Sequence, residues 1–568
     1  MKRSDYIRIK KGNFWPGLLM WVLPVVLLVP SAVLSCTEYL YTPSDRVANV
    51  LVPAGVYMLL AACWKRIGIT TVLSLPLMGL CAFQIVLLYL YGESIIAIDM
   101  FLNVVTTNVS EATELLGNLV PAILTVCAIY LPPLVTGIVL SLRGHFTTGS
   151  QRRPMLVAGG ITLACGLVAM GCAYAFDRDY SPVRSLFPAN VISNMFEACE
   201  RTEASNRYDE TSAVFSFGSV ATRPDSADVY VLVIGETSRA GNWQLNGYER
   251  PTNPRLSRRD GVNFFSKALS ESNTTHKSVP LLMSGLDSSN YGDSIYSVKG
   301  VIDAFKEAGF ATAWISSQER NGSLIDFFGE QADSVRFLMD DGRHHRDTEL
   351  VPCLAHVIDA AGDRPLFVVI HTYGSHFNYR DRYPDGFGAF LPDDATEAEV
   401  SNRDELINAY DNAIMYTDLV LDSIIATVES TGRSAALLYL ADHGEDIFDD
   451  SRGRFLHASP SPTYYQLHVP VLTWTSEAYR RGHPHRSRQL EAHAGCNVSS
   501  SLSAFHTIAG LAGLSMPCYR PEADLSSRRF EEPVRLYLND YNEAVPLVRS
   551  GLREVDIEQL GRRSISCE

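Results

Sequence analysis

The sequence has little positive charge and no closely spaced pairs of cysteines. These two absences argue against nucleic-acid binding and against a cysteine-based redox or zinc motif. It carries 48 Lys and Arg against 63 Asp and Glu, a formal net charge of −15, whereas binding to nucleic acid needs clustered Lys and Arg. None of its 11 cysteines forms a CxxC motif, so neither a redox motif nor a structural zinc site is predicted. Five cysteines lie beyond residue 177, and no pairing can be deduced among them: Cys199, Cys353, Cys496, Cys518 and Cys567. An acidic chain that handles phosphate needs positive charge from elsewhere, and bound metal ions are one source.

Apolar residues are concentrated in the first third of the chain. Five apolar runs lie at roughly 14–36, 49–64, 70–92, 116–142 and 155–176. Each is near the ~20 residues that a transmembrane helix needs. We therefore predict a five-helix transmembrane domain at 1–176, a connecting region at 177–225 and a soluble catalytic domain at 226–568.

Basic residues predict the orientation of these helices. Lys and Arg occur in the N-terminal tail and after the second and fourth runs, but none occurs in the loop 93–115. Because basic loops stay in the cytoplasm, five crossings place residues 177–568 outside, in the periplasm of a bacterial inner membrane. The loop 93–115 is itself rich in apolar residues, which predicts that it lies at the membrane surface. Taken alone, its Asn103 and Glu111 have the character of solvated loop residues.

Short apolar runs alternate with helical patterns in the soluble part. The runs predicted as buried strands are Val229–Ile234, Ala311–Ile315, Leu366–Ile370, Ala435–Leu440 and Val469–Trp474. Residues 401–430 have apolar positions at helical spacing. This alternation predicts a mostly parallel sheet covered by helices, with functional sites beyond the carboxyl ends of its strands.

Acidic and histidine residues directly follow three of the predicted strands. They are Glu236, His371 with His376, and Asp442 with His443. His457 precedes the last predicted strand. Carboxylate and imidazole ligands together suit zinc or manganese better than magnesium or calcium, so we predict a metal site at this edge of the sheet.

A transferase also needs a nucleophile that carries the group being moved. The candidate is Thr275 in ESNTTHKSVPLLMSG, where NTTHK is predicted as a turn and SVPLLMSG as the start of a packed helix. A helix N-terminus favours a bound phosphate, and zinc would lower the pKa of the hydroxyl. Thr274, Thr237 and Ser238 remain alternatives, because spacing does not choose among them.

With these residues assembled, the chain resembles the bacterial phosphoethanolamine transferases of the alkaline phosphatase superfamily, which include lipid A-modifying and mobile colistin-resistance enzymes. The motifs that carry the resemblance are GETSRAGNWQLNGYERPTNP, NTTHKSVP, HTYGSHFNYRDRYP, YDNAIMYTD and ADHGEDIFD. The resemblance implies five transmembrane helices and an α/β domain of alkaline-phosphatase/sulfatase type with a mostly parallel central sheet. It further implies transfer of phosphoethanolamine from phosphatidylethanolamine, through a phosphothreonine, to lipid A or another lipopolysaccharide acceptor. Capping a lipid A phosphate in this way would weaken the binding of cationic peptides such as polymyxin.

The resemblance also implies roles for individual residues. The zinc ligands, for one or two ions, would be Glu236, Thr275, Asp442 and His443. Catalysis would use Thr275, His376 and His457. Substrate binding would use Asn103, Glu111, His371 and Gln318, with Asn321 as an alternative to Gln318. The eight-residue separation of Asn103 and Glu111 matches the family's pair for the donor headgroup, which replaces the solvated-loop interpretation.

Several positions depart from the family pattern. Glu271 and Leu281 stand where many lipid A enzymes have cysteines flanking the nucleophile, so the disulfide that would brace this segment is missing. His276 and Lys277 follow the nucleophile where small or aromatic residues are usual. These differences bear on the acceptor more than on the reaction.

Two other interpretations remain. An enzyme of the lipoteichoic-acid-synthase type would transfer glycerol phosphate with the same architecture. A membrane-anchored binding module without catalytic activity would tolerate the loss of metal ligands, which are all present here. A sulfatase activity is disfavoured, because the Cys/Ser-x-Pro-x-Arg signature of its nucleophile is absent.

Overall fold

The computed structural model describes residues 14–39, 41–92, 95–106, 119–177, 180–223, 227–395 and 397–561. The chain separates into two compact units. One comprises Met1–Phe101 and Leu115–Cys199, and the other comprises Leu102–Glu114 and Glu200–Glu568. The boundaries predicted at 176 and 225 stay predictions.

The N-terminal helices match the apolar runs, with one difference. In chain order they are α1 Phe14–Thr37, α2 Pro43–Cys63, α3 Ile67–Leu73, α4 Leu75–Tyr91, α5 Ile98–Thr106, α6 Val120–Leu142 and α7 Gly149–Phe176. Within the described residues, α1, α2, α6 and α7 are each long and apolar enough to cross a membrane. The predicted span at 70–92 is instead a pair, α3 and α4, bent by 53° at the break between them. Pro76 at the start of α4 favours this break, because proline cannot donate the backbone hydrogen bond that would continue α3.

Glycines allow α2 and α7 to pack closely. A Cβ atom on Gly55 would lie 2.6 Å from the backbone nitrogen of Leu163, and one on Gly166 would lie 2.7 Å from that of Val52. Small residues of this kind let the backbones of membrane helices approach each other. A side chain at Gly55 or Gly166 would therefore push the two helices apart.

The second half of the chain alternates helices and strands. The helices are α8 Pro182–Ser185, α9 Ala189–Asn206, α10 Tyr208–Thr211, α11 Thr275–Ser284, α12 Val301–Glu307, α13 Leu324–Gly329, α14 Leu350–Ala361, α15 Arg403–Glu429, α16 Tyr464–Leu467, α17 Glu477–Gly482, α18 Pro484–His493, α19 Ser500–Ala512 and α20 Glu554–Gly561. The strands are β1 Val220–Ala221, β2 Val229–Gly235, β3 Val262–Phe264, β4 Lys267–Leu269, β5 Ala311–Ser316, β6 Ser334–Phe337, β7 Leu366–His371, β8 Ala435–Ala441, β9 Asp446–Ile447, β10 Phe455–Leu456, β11 Val471–Thr475, β12 Asn497–Ser499, β13 Leu514–Ser515, β14 Leu536–Leu538 and β15 Ala544–Pro546. The helix predicted at 401–430 is confirmed as α15.

Seven strands form the central sheet, in the order β3-β11-β8-β2-β7-β5-β6. The five strands from β8 to β6 run parallel, which confirms the mostly parallel sheet. β11 runs antiparallel to both β8 and β3, so the sheet is mixed. The chain between β8 and β11 contains the short strands β9 and β10 and the single-turn helix α16, but no long helix of the kind that usually connects parallel strands.

The central sheet is covered on both faces. Along β2, Val229, Val231 and Val233 pack into one hydrophobic core, and the residues between them pack into the other. All seven residues of β2 are buried, as expected for a strand in the middle of a sheet with helices on both sides. The polar residues that follow β2 and its neighbours are thereby held on a rigid edge.

Candidate active site

Strand register brings the first two predicted ligands together. Gly235 at the end of β2 pairs with Ala441 at the end of β8. Glu236 and Asp442 each follow directly, so both carboxylates leave the same edge of the sheet. His443 comes next, and the ligand atoms of all three side chains lie within 4.8 Å of one another. The three residues are buried.

The nucleophile candidate completes this cluster. The Thr275 Oγ1 atom lies 3.1 Å from His443 Nε2 and 3.3 Å from Glu236 Oε1. Thr275 is the first residue of α11, so the helix begins three residues earlier than predicted. A hydroxyl at this position lies beside the unpaired N–H groups and positive end of the helix.

The hydroxyl groups of the other candidate nucleophiles have different sets of hydrogen-bond partners from that of Thr275. Thr274 Oγ1 lies 3.1 Å from Ser272 Oγ, and Ser238 Oγ accepts a hydrogen bond from the indole of Trp243. Thr237 Oγ1 donates to Glu236 Oε1 at 2.7 Å. Thr275 therefore contacts both a carboxylate and an imidazole of the cluster.

The geometry of the cluster fits a tetrahedral metal ion. His443 Nε2 lies 3.2 Å from Asp442 Oδ2 and 3.4 Å from Glu236 Oε1. Zinc–ligand bonds of 2.0–2.1 Å in a tetrahedron place ligand atoms about 3.3 Å apart. His443 Nδ1 lies 2.9 Å from the carbonyl oxygen of Gly444 and can only donate there, so the Nε2 lone pair points to the cluster.

The pKa shifts in the cluster also fit a bound cation. Burial, together with the charge of Asp442, raises the pKa of Glu236 to about 6. Burial raises the pKa of Asp442 to about 7 and lowers the pKa of His443. The buried Asp442 Oδ2 atom has no hydrogen-bond donor among the described residues. Two buried carboxylates that resist ionisation fit a divalent cation, since its charge would offset theirs.

Three residues orient the ligands, and the sequence analysis assigned this role to none of them. Thr237 holds Glu236 through its hydroxyl and has a positive φ of 54°, an unfavourable backbone conformation that a threonine adopts only when its surroundings enforce it. The hydroxyl of Tyr410 on α15 accepts from Arg239 N and donates to Thr237 O. Gln318 Nε2, predicted to bind substrate, donates to Glu236 Oε2 at 3.2 Å. Tyr410 opens the YDNAIMYTD motif, but its spacing in the sequence does not reveal this contact.

The three remaining histidines occupy different positions. The rings of His443 and His457 have centroids 4.1 Å apart, and those of His376 and His457 are 5.8 Å apart. His376 and His457 thus lie beside the cluster. His371 is buried next to Trp314, with ring centroids 5.5 Å apart, and burial lowers its pKa to about 3. No contact within the described residues joins His371 to the cluster.

The two predicted headgroup ligands cannot be placed. Asn103 lies on α5, but its side chain is outside the described residues, and Glu111 is outside them altogether. Their roles remain predictions.

A buried carboxylate braces the nucleophile segment. Glu271 lies four residues before Thr275 and is only 4% exposed. Its Oε1 atom accepts a hydrogen bond from Ser288, and its carbonyl oxygen accepts one from Leu538 N. Burial raises the pKa of Glu271 to about 7, although the hydrogen bond from Ser288 opposes this rise.

Replacement of Glu271 by glutamine is expected to stabilise the protein at alkaline pH relative to the wild type. As the pH rises from 4.5, the ordinary pKa of a glutamate, to about 7, the Glu271 carboxyl loses its proton in the unfolded chain but keeps it in the folded chain. The free energy of unfolding of the wild type therefore falls as pH rises through this window, by up to about 3 kcal/mol, and stays low above it. Glu271→Gln removes this dependence. Thermal unfolding midpoints of both proteins at pH 5 and pH 8 measure the effect.

The matched control is Glu210→Gln, because the Glu210 side chain is 76% exposed. This substitution is expected to leave the pH dependence as it is in the wild type. A Glu271→Gln protein whose midpoint tracks the wild type across pH would show that Glu271 ionises normally in the fold.

Comparisons with known proteins agree with this geometry. A model of the sulfatase family matches residues 228–514. Phosphoethanolamine transferase EptA of Escherichia coli strain K12 is 29% identical over 410 residues, which cover 67% of this chain and 73% of EptA. The resemblance predicted from the motifs is thereby confirmed.

Two solved structures of similar proteins match this fold, and one of them is a complex with Zn. The integral membrane lipooligosaccharide phosphoethanolamine transferase EptA from Neisseria meningitidis matches with a TM-score of 0.70 at 22% identity, covering 90% of this chain and 97% of that one. This match confirms the predicted combination of membrane helices and α/β domain. The C-terminal periplasmic domain of EcEptC from Escherichia coli, in complex with Zn, matches with a TM-score of 0.53 at 26% identity over 60% of this chain and 97% of that one.

Proposed function

This chain belongs to the sulfatase family, and from that premise we propose that it is a metal-dependent phosphoethanolamine transferase with Thr275 as its nucleophile. The observation that carries the proposal is the position of Thr275 Oγ1, within 3.4 Å of both Glu236 carboxylate oxygens and 3.1 Å from His443 Nε2. A hydrolase needs only an activated water, whereas a threonine in this position can hold the transferred group covalently.

In the first half-reaction, Thr275 Oγ attacks the phosphorus of phosphatidylethanolamine. The bond to the glycerol oxygen breaks, diacylglycerol leaves with that oxygen, and phosphoethanolamine remains on the threonine. Glu236, Asp442, His443 and Thr275 would hold zinc, as one or two ions, or manganese. The metal would supply positive charge that favours the threonine alkoxide and the oxygens of the transition state.

Two histidines beside the cluster serve proton transfer. His376 Nδ1 lies 2.7 Å from the carbonyl oxygen of Phe377 and can only donate there, so Nδ1 is a protonated ring nitrogen. We assign His376 and His457 to the protons of the attacking and leaving oxygens.

The membrane helices would bring this chemistry to its lipid substrates. We assign Asn103 and Glu111 to the donor headgroup, as the family resemblance implies, whereas the burial of His371 beside Trp314 gives it no contact with the cluster among the described residues. The catalytic domain would face the periplasm from the inner membrane. Its acceptor would be lipid A or another lipopolysaccharide.

Intact-mass spectrometry of the purified full-length protein tests the donor. Incubation with phosphatidylethanolamine is expected to add the mass of one phosphoethanolamine unit to the wild type. Phosphatidylglycerol is the matched lipid, and a glycerol-phosphate adduct from it would support the lipoteichoic-type transfer instead. Absence of an adduct from phosphatidylethanolamine, with metal bound, would contradict the proposal.

A further inference from the structure

One buried glutamine lies where three segments of the active site meet. Gln466 belongs to the single-turn helix α16 and is fully buried. The first segment carries Thr275, the second carries His443, and the third carries His457. Gln466 forms hydrogen bonds with residues of all three segments, as described in turn below.

The main chain of Gln466 holds the His443 segment. Its carbonyl oxygen accepts a hydrogen bond from Gly444 N at 2.7 Å, and Gly444 directly follows His443. A side chain at Gly444 has no room, because its Cβ atom would overlap the carbonyl oxygen of Tyr465. The end of the metal cluster is therefore packed directly against the backbone of α16.

The side-chain oxygen of Gln466 holds the nucleophile segment. Gln466 Oε1 accepts a hydrogen bond from Asn273 Nδ2 at 2.6 Å, and Asn273 lies two residues before Thr275. Asn273 is itself buried, and its Oδ1 atom accepts from the hydroxyl of Tyr537 at 2.8 Å. The Asn273 amide cannot turn away without leaving buried polar atoms unsatisfied, which costs about 1–3 kcal/mol for each group.

The side-chain nitrogen of Gln466 holds the third segment. Gln466 Nε2 donates to the carbonyl oxygen of Leu456 at 3.2 Å, directly before His457. Directly after His457, Ala458 N donates to the carbonyl oxygen of Asn273 at 3.1 Å. Leu456 and Ala458 have positive φ values of 69° and 60°, a conformation that residues with a side chain keep only where their surroundings enforce it. Gln466 and Asn273 provide such contacts on the two sides of His457.

The partners of the Gln466 amide also fix its orientation. A carbonyl oxygen such as that of Leu456 can only accept, so the amide nitrogen must face it. The second hydrogen of Nε2 is donated to Asp446 Oδ2 at 2.7 Å, and Oε1 accepts from Ser459 Oγ as well as from Asn273. Both donor and both acceptor positions of the amide are therefore used. A buried polar network that is satisfied in this way is rigid.

We propose that Gln466 is a positioning residue for the transfer reaction, and that its amide holds Thr275 in place relative to His443 and His457. The proposal rests on the function proposed above and adds a residue to its machinery. Gln466 acts through Asn273 and the His457 segment rather than on the reacting atoms. Such positioning matters because a displacement of about 1 Å can cost roughly 100-fold in rate.

Loading of the full-length protein from phosphatidylethanolamine tests this role, with the adduct followed over time by intact mass. Gln466→Met keeps the length of the side chain but removes its hydrogen bonds. Asn273→Ala removes the partner on the nucleophile segment and leaves the bonds from Gln466 to Asp446 and Leu456 in place. Each variant is expected to lower the maximal loading rate by roughly 10- to 100-fold. The lipid concentration that gives half-maximal loading, and the zinc content of the protein, should match those of the wild type, because the lost contacts involve neither lipid nor metal ligands.

The double variant separates positioning from a general loss of stability. If both residues act through their mutual contact, Gln466→Met combined with Asn273→Ala loses little more rate than the slower single variant. The matched control is Gln331→Ala, which removes a glutamine that instead bonds Gly300 N and the hydroxyl of Tyr208. This control is expected to lower the thermal unfolding midpoint but to load at the wild-type rate.

Loading of Gln466→Met and Asn273→Ala at the rate of Gln331→Ala would overturn the proposal and leave the proposed function standing. Losses that multiply in the double variant, or that follow the unfolding midpoint in all variants, would also overturn it and assign Gln466 to stability alone. If Gln466→Met does not fold, the comparison of Asn273→Ala with Gln331→Ala decides. A wild type that forms no adduct would refute the proposed function and the role of Gln466 with it.

Discussion

Replacement of Thr275 by alanine is expected to abolish the phosphoethanolamine adduct and to lower the transfer rate by roughly 10⁴-fold or more. The structure places Thr275 Oγ1 against Glu236 and His443, and no other hydroxyl in the described residues is known to contact both side chains. Alanine keeps the helix N-terminus and the buried environment but removes the atom that would form the bond to phosphorus. Intact-mass spectrometry and release of diacylglycerol measure the two consequences.

Two matched variants sharpen this test. Thr275→Ser retains a hydroxyl and is expected to form the adduct, although more slowly, because serine is less restrained at χ1. Thr274→Ala removes the neighbouring hydroxyl, which lies 3.1 Å from Ser272 Oγ, and is expected to form the adduct as well. An adduct that persists in Thr275→Ala, and disappears in Thr237→Ala, would move the nucleophile to Thr237.

Replacement of Asp442 by asparagine is expected to cause a large loss of zinc affinity and, with it, of activity. Asp442 would supply one of the anionic ligands, and its Oδ2 atom is buried without a hydrogen-bond donor among the described residues. Mutation of a residue that only hydrogen-bonds to a metal ligand typically lowers metal affinity by roughly 10- to 100-fold. Loss of a ligand itself should lower zinc affinity by more than this. Activity should fall in parallel. The zinc content of the protein after dialysis, measured by elemental mass spectrometry, checks the loss of zinc affinity directly.

Zinc affinity of the wild type is also expected to depend on pH. Metal binding must displace the protons that burial favours on Glu236, whose pKa is raised to about 6, and on Asp442, whose pKa is raised to about 7. Affinity should therefore fall as pH drops below about 7 and fall more steeply below about 6.

The control for Asp442→Asn is Asp418→Asn, which removes a buried carboxylate outside the cluster. That carboxylate accepts hydrogen bonds from Arg255 N and Leu256 N. Equal metal loss in both variants would show that the Asp442 effect is not specific to the cluster.

Much of the fold could be predicted from local patterns. The apolar runs identify the membrane helices, because length and hydropathy alone decide whether a helix suits the bilayer core. The buried strands and α15 follow from the spacing of apolar residues. The break between α3 and α4 was missed, since the run at 70–92 is apolar on both sides of it. The antiparallel direction of β11 was missed because it depends on how the chain returns from β8, which hydropathy does not encode.

The sequence by itself determined the chemistry of the site. Glu236, Asp442 and His443 follow apolar strands, and residues at the ends of parallel neighbouring strands must meet at one edge of the sheet. Their carboxylate and imidazole groups also restrict the metals that suit the site. These conclusions need only the order of strands and ligands along the chain.

Only the tertiary structure decided which of these side chains contact one another. It placed Thr275 Oγ1 against both Glu236 and His443, Gln318 on the carboxylate of Glu236, and His371 against Trp314. It also brought the side chains of Asn273 and Asp446 to Gln466. The physical reason is that these contacts join side chains far apart in the chain. Helix start, strand register and packing fix their distances, and none of these is a property of the local sequence.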